Sequence, residues 1–280
     1  MTRKDAAKTL LLLTPQFPYP PHQGTTLRNY NLIAGLARHH EVHLLSFGDP
    51  AASRGTPLDE LCRTVQVFPP PERSTLQRVQ GLAFSRLPDM AQRLPSAAFQ
   101  DTLAATLERE DPDVVEVEGI ELAQYLFQVA DRRGAATRPL LVFDDHNAEY
   151  VLQQRAFETD IRQPRRWIGA AYSFVQWQRL KGYERRACHA ADRVVAVSDT
   201  DAPAIRRLDA ALEPVVVPNG VDIDFYAADI PAMEDGAGPG PLDLVFTAKM
   251  DFRPNVDAVP VSYTHLRAHE TNDLISYAVI

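Results

Sequence analysis

The chain has 280 residues, 45% of them hydrophobic and 24% charged, and a formal net charge of −8. This composition is ordinary for a globular protein of one or two domains, and the negative charge argues against a general nucleic-acid binder. Two cysteines, Cys62 and Cys188, make neither a disulfide framework nor a metal set. No apolar stretch reaches the roughly 20 residues of a membrane span, and the N-terminus lacks a signal-peptide core, so we expect a cytoplasmic protein.

Apolar runs alternate with helical patterns along the chain, which is typical of βαβ units. Most runs are continuously apolar, as in strands that are buried on both faces. The predicted strands are Thr9 to Thr14, Val42 to Phe47, Val65 to Phe68, Val114 to Val117, Leu140 to Phe143, Arg193 to Val197, Val215 to Val217 and Leu242 to Thr247. Spacings of three and four predict helices between them, including those through Leu27, Tyr30, Ala34 and Ala37 and through Leu180, Tyr183, Ala187 and Ala190. The expected fold class is α/β, a Rossmann-like domain with a parallel sheet.

The first strand leads through a proline-rich loop to Gly24, just before a predicted helix. The first N–H groups of a helix have no intrahelical partner, and the helix dipole is positive there, so such a position suits an anion or a sugar. Gly24, Thr25 and Arg28 are therefore candidate binding residues, with Thr25 or Thr26 as the expected N-cap. The alternative is a plain strand-to-helix turn with a surface arginine.

His146 follows the strand Leu140 to Phe143, at the carboxyl end where open α/β sheets bind ligands. A neutral imidazole there can donate a hydrogen bond to a sugar hydroxyl, and a charged one can offset charge on a leaving phosphate. A structural, hydrogen-bonded histidine is the alternative. Asp145 is a candidate neighbour of an acceptor, whereas Asp144 and Glu149 are interpreted as loop or cap residues.

Two later strand ends carry further candidates. Ser198 follows the strand that ends at Val197, where it either contacts a substrate or caps the helix predicted from Thr200 to Arg207. Asn219 and Gly220 end the next strand in a tight turn, which we expect to need positive φ at or near Gly220.

Histidines flank the second strand at His39, His40 and His43, and we interpret them as structural. We find no set of histidine, cysteine and carboxylate residues with the spacing of metal ligands. No metal site is therefore predicted.

Three segments in this order, Leu11 to Arg28, Asp144 to Tyr150 and Val217 to Asp222, resemble the family 4 glycosyltransferases of the GT-B fold. The resemblance implies a retaining transfer of a sugar from a nucleotide sugar, which is a substrate, with no cofactor and no metal. It places Gly24 opposite the donor diphosphate, and His146 close to the donor sugar as the catalytic residue.

The same resemblance divides the chain into an acceptor-side domain over residues 1–228, a linker over 229–241 and the start of a donor-binding domain over 242–259. It places Lys249, which follows the strand Leu242 to Thr247, in the donor half. Ala248 stands where the family often has glycine. Since the rest of the donor half is lacking, we expect this chain to be inactive by itself.

The last segment, residues 260–280, resembles the translation of a sequencing-library adapter. Val261 to Thr271 can be written in codons that spell a transposase-type adapter, and Ile275 to Val279 match the flow-cell primer that follows an index. We therefore expect this tail to be non-native.

The partners implied are a nucleotide-sugar donor and a glycan or lipid-linked acceptor in bacterial polysaccharide or glycoconjugate biosynthesis, without nucleic acid. A lipid-linked acceptor would bring peripheral contact with the inner face of the membrane. Two alternatives remain. One is a sugar-nucleotide epimerase of the same fold, which requires acidic catalytic residues at strand ends. The other is a non-catalytic module that binds a sugar or a nucleotide.

Overall fold

The computed structural model describes residues 6–134, 136, 138–220, 223, 246, 255–256 and 258–263. The chain divides into two compact units, Met1–Val221 and Asp222–Ile280. In the second unit, residues 255–256 and 258–263 are helical. The predicted linker and Lys249 lie outside the described residues, as does the eighth predicted strand apart from Phe246. The domain boundaries and the adapter-derived tail therefore stay predictions.

The first unit is built on one parallel sheet of seven strands. The strands are β1 (Thr9–Thr14), β2 (Glu41–Phe47), β3 (Thr64–Phe68), β4 (Val114–Glu118), β5 (Leu140–Asp144), β6 (Arg193–Ala196) and β7 (Val215–Val216). Their order in the sheet is β3-β2-β1-β4-β5-β6-β7, and every neighbouring pair is parallel. The seven strands predicted in this unit are confirmed to within one residue at each end, and so is the Rossmann-like α/β class.

Helices connect the strands as the apolar spacing predicted. They are α1 (Gly24–Leu36), α2 (Leu58–Leu61), α3 (Thr75–Phe84), α4 (Ala97–Glu110), α5 (Ala123–Arg133), α6 (Glu149–Asp160), α7 (Trp167–Ala190) and α8 (Asp201–Leu208). Short 3₁₀ turns occupy Met90–Gln92, Ile120–Leu122 and Pro164–Arg166. Within the described part of the chain, no helix combines the length and apolar character that a membrane crossing requires.

The sheet separates two apolar cores because successive strand residues point to opposite faces. Leu10 and Leu12 of β1 pack with Ile33 of α1 on one face. Leu11 and Leu13 belong to the larger core on the other face, which includes residues of α4, α5, α7 and α8. β1 is thus buried on both sides, as its unbroken run of leucines predicted.

An aromatic stack lies at the centre of the larger core. Phe99 of α4 lies parallel to Phe47 of β2, with 4.6 Å between ring centroids, and 4.5 Å from the ring of Tyr125 on α5. The hydroxyl of Tyr125 donates a hydrogen bond to the backbone oxygen of Leu94 at 2.6 Å. Phe99 therefore joins a strand and two helices at one point.

We predict that Phe99→Ala lowers the free energy of unfolding by about 3–5 kcal/mol, because it leaves a cavity in the completely buried aromatic stack. Phe84→Ala is the matched control, since Phe84 is 87% exposed and its loss should change stability by less than about 0.5 kcal/mol. Urea titration of both variants measures the difference, and equal losses would contradict this account of the core.

Candidate active site

The candidate site lies where the strand order reverses. β1 is followed by β2 on one side of the sheet and lies beside β4 on the other, and the carboxyl ends of the strands at such a switch point are where open α/β sheets bind ligands. His146 follows β5, Ser198 follows β6, and Asn219 follows β7 at the same edge. The topology thus brings most of the predicted site residues to one edge, whereas Lys249 lies outside the described residues.

Arg28 ties three elements of this edge together. Its Nε and Nη2 donate to Oδ2 of Asp144 at 3.1 and 2.8 Å. Its Nη1 donates to the backbone oxygen of Val217 at 3.0 Å and to Oδ1 of Asn219 at 2.9 Å. Four of the five N–H groups of the guanidinium are thereby used. Arg28 therefore organises the edge, joining α1 to β5 and to the loop after β7, and Asp144 is an ion-pair partner rather than a cap.

His146 lies beside Gly119, whose backbone conformation and close neighbours favour glycine over any other residue. Gly119 follows β4 and has a φ of +76°, a backbone conformation that residues with a side chain rarely adopt. A Cβ atom at this position would lie 3.4 Å from Cε1 of His146 and 3.8 Å from Cγ of Pro15, which follows β1. The glycine thus allows the ends of β1, β4 and β5 to approach each other closely around the imidazole.

Glu118 is the acidic neighbour of His146. Asn29 of α1 donates from Nδ2 to Oε2 of Glu118. Oε1 of Glu118 lies 3.8 Å from Nδ1 of His146. Both of these atoms are buried without a hydrogen-bond partner among the described residues. They face each other at slightly more than hydrogen-bond distance.

Burial sets the protonation of this pair. It raises the pKa of Glu118 well above its ordinary value, and the nearby carboxylate of Asp144 raises it further. Burial also lowers the pKa of His146, although Asp144 and Glu121 oppose the shift. The site therefore favours a neutral imidazole next to a carboxyl group that keeps its proton.

The position of Asp145 differs from the expectation that it lies close to an acceptor. Its side chain is buried and hydrogen-bonds the carboxyl of Glu184 on α7. Glu184 in turn accepts hydrogen bonds from the backbone N–H groups of Glu149 and Tyr150, each at 2.9 Å, at the start of α6. Asp145 therefore faces the interior, because its carboxyl helps to anchor the first turn of α6.

The start of α1 also differs from the prediction. The N-cap is Gln23, not Thr25 or Thr26, because the helix already begins at Gly24. Thr26 lies in the first turn, where its hydroxyl accepts a hydrogen bond from the backbone N–H of Gln23 at 3.1 Å. Gly24 is exposed, and a side chain there would meet no atom within 4 Å. The helix start thus remains open to a ligand.

At Ser198, the structure shows hydrogen bonds to the residues that open α8, although the N-cap itself is Thr200. The hydroxyl of Ser198 accepts hydrogen bonds from the backbone N–H groups of Thr200 and Asp201, at 3.2 and 3.1 Å, and donates to the carboxylate of Asp201. Ser198 therefore holds the start of α8.

Positive φ was expected at or near Gly220, but neither Asn219 nor Gly220 has it, and Val221 lies outside the described residues. The segment after β7 is held by Arg28, which donates a hydrogen bond to the side chain of Asn219. Asn219 therefore belongs to the Arg28 network.

Four residues of this edge were missed by sequence reasoning: Asn29, Glu118, Gly119 and Glu184. A usable signal existed for two of them, since Glu118 and Gly119 are a carboxylate and a glycine that end an apolar strand. Asn29 and Glu184 lie within helices and have no comparable local signal. Only the packing of α1 and α7 places them at the site.

A separate group of possible metal ligands lies near the amino end of β2. Ligand atoms of Glu41, His43 and Glu110 lie within 4.8 Å of one another, although no metal set was predicted from spacing. Arg109 Nε donates to Glu110 at 2.5 Å, and Thr64 Oγ1 is 2.9 Å from Nδ1 of His43. Since the arginine already balances one carboxylate, we interpret the group as an ion-pair cluster.

Comparison with known proteins identifies the family. The model of Glycosyltransferase Family 4 matches residues 23–225. Since the match covers more than half of the sequence, the chain belongs to this family, and the predicted resemblance is confirmed. No curated protein matches the sequence.

Several solved structures are similar to this chain. Sucrose-phosphate synthase from Thermosynechococcus elongatus has 16% identity and a TM-score of 0.49 over 76% of this chain and 48% of its own. Anabaena Alr3699/HepE, in complex with UDP and glucose, has 18% identity and a TM-score of 0.44 over 78% and 46%. Phytolacca americana UGT2, complexed with UDP-2fluoro-glucose and pterostilbene, has 14% identity and a TM-score of 0.44 over 76% and 54%. The chain spans about half the length of these proteins.

We predict that stability falls as the pH rises from about 5, where carboxyl groups of the unfolded chain have lost their protons, to about 7 and beyond. Burial raises the pKa of Glu184 to about 7 and that of Asp145 well above its ordinary value. The folded state then binds more protons than the unfolded state, so each carboxyl costs up to about 1.4 kcal/mol per pH unit until the pH passes its pKa in the folded state.

The test of this prediction is Asp145→Asn, whose amide donates to Glu184 without a titrating proton. Urea titrations at several pH values should show a shallower slope than in the parent protein and higher stability at alkaline pH. Asp199→Asn, at an exposed position, is the control and should keep the parent slope. An unchanged slope in Asp145→Asn would show that the buried pair does not cause the effect.

Proposed function

We propose that this Glycosyltransferase Family 4 protein transfers a sugar from a nucleotide-sugar donor to a glycan or lipid-linked acceptor, with retention of configuration. We assign it to bacterial polysaccharide or glycoconjugate biosynthesis. The observation that carries the proposal is the position of His146, a neutral imidazole at the switch point of the sheet whose Nδ1 has no hydrogen-bond partner among the described residues. Because the chain spans about half the length of similar proteins, we assign the first unit to the acceptor side of the complete enzyme.

In this proposal, Glu118 fixes the orientation of His146. A protonated Glu118 donates to Nδ1 of His146 after a small closing movement, since the two atoms are 3.8 Å apart. The imidazole then carries its own proton on Nε2, which is free to donate to a sugar hydroxyl. Glu118 is thus a positioning residue, and His146 is the residue that touches the substrate.

The proposed reaction needs no protein base. The bond between the anomeric carbon and the diphosphate breaks as the acceptor hydroxyl attacks from the same face, and the departing phosphate oxygen takes the hydroxyl proton. Asp144 and Asp145 are unsuited to act as the base, because Arg28 pairs with the first and the second faces the interior. Positive charge from the open start of α1 at Gly24, and from Lys249, would stabilise the diphosphate.

The carboxylates at this edge also favour a transferase over an epimerase. An epimerase of this fold needs acidic catalytic residues at strand ends. Of the three carboxylates that end β4 and β5, Asp144 is in an ion pair and Asp145 is buried against Glu184. Glu118 and Glu121 remain near the imidazole. The buried Glu118, which keeps its proton, fits a positioning role better than a two-acid mechanism.

We predict that His146→Ala lowers turnover about 100-fold or more in the complete enzyme, in which a full donor-binding domain follows the linker, because one preorganised hydrogen bond is lost in the transition state. Its melting temperature should fall only modestly, since the buried Nδ1 has no hydrogen-bond partner to lose among the described residues and only the packing of the ring is removed. Steady-state assays with a panel of nucleotide sugars, together with thermal melts, measure both effects.

Ser198→Ala is the matched control for this experiment. The Ser198 hydroxyl accepts two backbone hydrogen bonds just before α8, so its loss should cost about 1 kcal/mol of stability and change turnover little. If His146→Ala melts several degrees lower and keeps its turnover, the histidine is structural and the proposed role is wrong.

A further inference from the structure

A group of apolar side chains stands exposed on α3 and on the first turn of α7 with its preceding loop. We call it the apolar–basic face, and its apolar members are Leu76, Val79, Phe84, Ile161, Trp167 and Ile168. Phe84 is 87% exposed and Ile168 is 90% exposed, and α3 contains no buried residue at all. A helix in a globular protein normally buries one apolar face, so α3 lacks a partner for its apolar side chains.

The two halves of the face are held together by direct contacts. Arg179 of α7 donates from Nη2 to the backbone oxygen of Leu82 at 2.8 Å and from Nη1 to that of Gly81 at 3.4 Å, both in α3. Gln176 accepts a hydrogen bond at 2.7 Å from the backbone N–H of Asp89, which follows α3. These contacts fix α3 against α7, so the two elements that carry the exposed apolar residues are neighbours.

Charge is also segregated in the two segments of the chain that carry these residues. Residues 73–88 and 161–183 contain eight arginines and lysines and no aspartate or glutamate, although the whole chain has a net charge of −8. Within the described part of the chain, no ion pair involves the guanidinium groups of four of these residues, Arg78, Arg86, Arg162 and Arg165. A protein with excess negative charge thus exposes unpaired positive charge where its exposed apolar side chains lie.

We propose that the apolar–basic face docks on an anionic lipid surface. Large apolar side chains between arginines are the pattern of elements that lie in the membrane interface, where the apolar groups enter the lipid and the arginines meet the headgroups. This inference deepens the proposed function, on which it rests for the lipid-linked acceptor, by naming the surface that meets the membrane. The positive charge selects anionic lipid over neutral lipid.

The test is co-sedimentation of the chain with lipid vesicles in the absence of any nucleotide sugar. One set of vesicles is phosphatidylcholine alone, and the other contains one part phosphatidylglycerol to two parts phosphatidylcholine. Binding should be strong on the anionic vesicles, weak on the neutral ones and reduced by added salt. Because the assay contains no donor, absence of lipid binding would not count against the transferase proposal. Absence of transferase activity would likewise not count against lipid binding.

Two variants locate the surface. Arg162→Gln with Arg165→Gln should weaken partition to anionic vesicles about 30-fold, since each basic residue near an anionic surface is worth roughly a fivefold change. Phe84→Ser with Ile168→Ser should also weaken partition to anionic vesicles, although this pair removes no charge. Both pairs are exposed, so the melting temperature should not change.

Arg206→Gln with Arg207→Gln is the control, because these exposed arginines of α8 give the same change in net charge. The control should bind like the parent chain. Absence of binding to anionic vesicles, equal binding to neutral vesicles, or equal losses in the variant pairs and the control would each overturn the proposal.

Discussion

The ion pair between Arg28 and Asp144 is the interaction on which the candidate site depends. Both side chains are nearly inaccessible to solvent, at 8% and 1% exposure. The arginine also reaches the loop after β7 through the backbone of Val217 and the side chain of Asn219. A buried charge without its partner is costly, so α1, β5 and this loop have to keep their relative positions. The edge that carries His146 is therefore fixed by one guanidinium.

The other buried carboxyl groups at this edge of the sheet keep their protons and are therefore uncharged. Burial raises the pKa of Glu118 and Asp145 well above the ordinary range, and that of Glu149 to about 8, with Glu121 and Glu184 adding to the last shift. Neutral carboxyl groups can donate hydrogen bonds, which lets Asp145 bond Glu184 and leaves Glu118 a proton to offer His146. The edge is acidic in composition, yet its negative charge is limited because several of its carboxyl groups keep their protons.

The strands were predictable because burial on both faces makes each one an unbroken apolar run, as in β1 with its four leucines. The edge residues His146, Ser198 and Asn219 followed from the same reasoning, since they come directly after such runs. The pairing of Arg28 with Asp144 was not predictable, because 116 residues separate the two and neither has a local pattern that names its partner.

The inward turn of Asp145 was missed for a similar reason. The apolar pattern of a strand shows which residues end it. The direction of the Asp145 carboxyl, however, depends on the side chain of Glu184 on α7. The N-cap was missed because a threonine usually caps more strongly than a glutamine. Here Thr26 instead accepts from the N–H of Gln23 from within the first turn.

A double-mutant cycle on Arg28→Met and Asp144→Asn tests most directly whether this ion pair organises the site. Each single variant should lower the free energy of unfolding by about 3–5 kcal/mol, because it leaves a buried polar partner unpaired. The double variant should lose no more than either single one, since neither charge is then left alone. Losses that simply add in the double variant would show that Arg28 and Asp144 act independently, and would contradict the account.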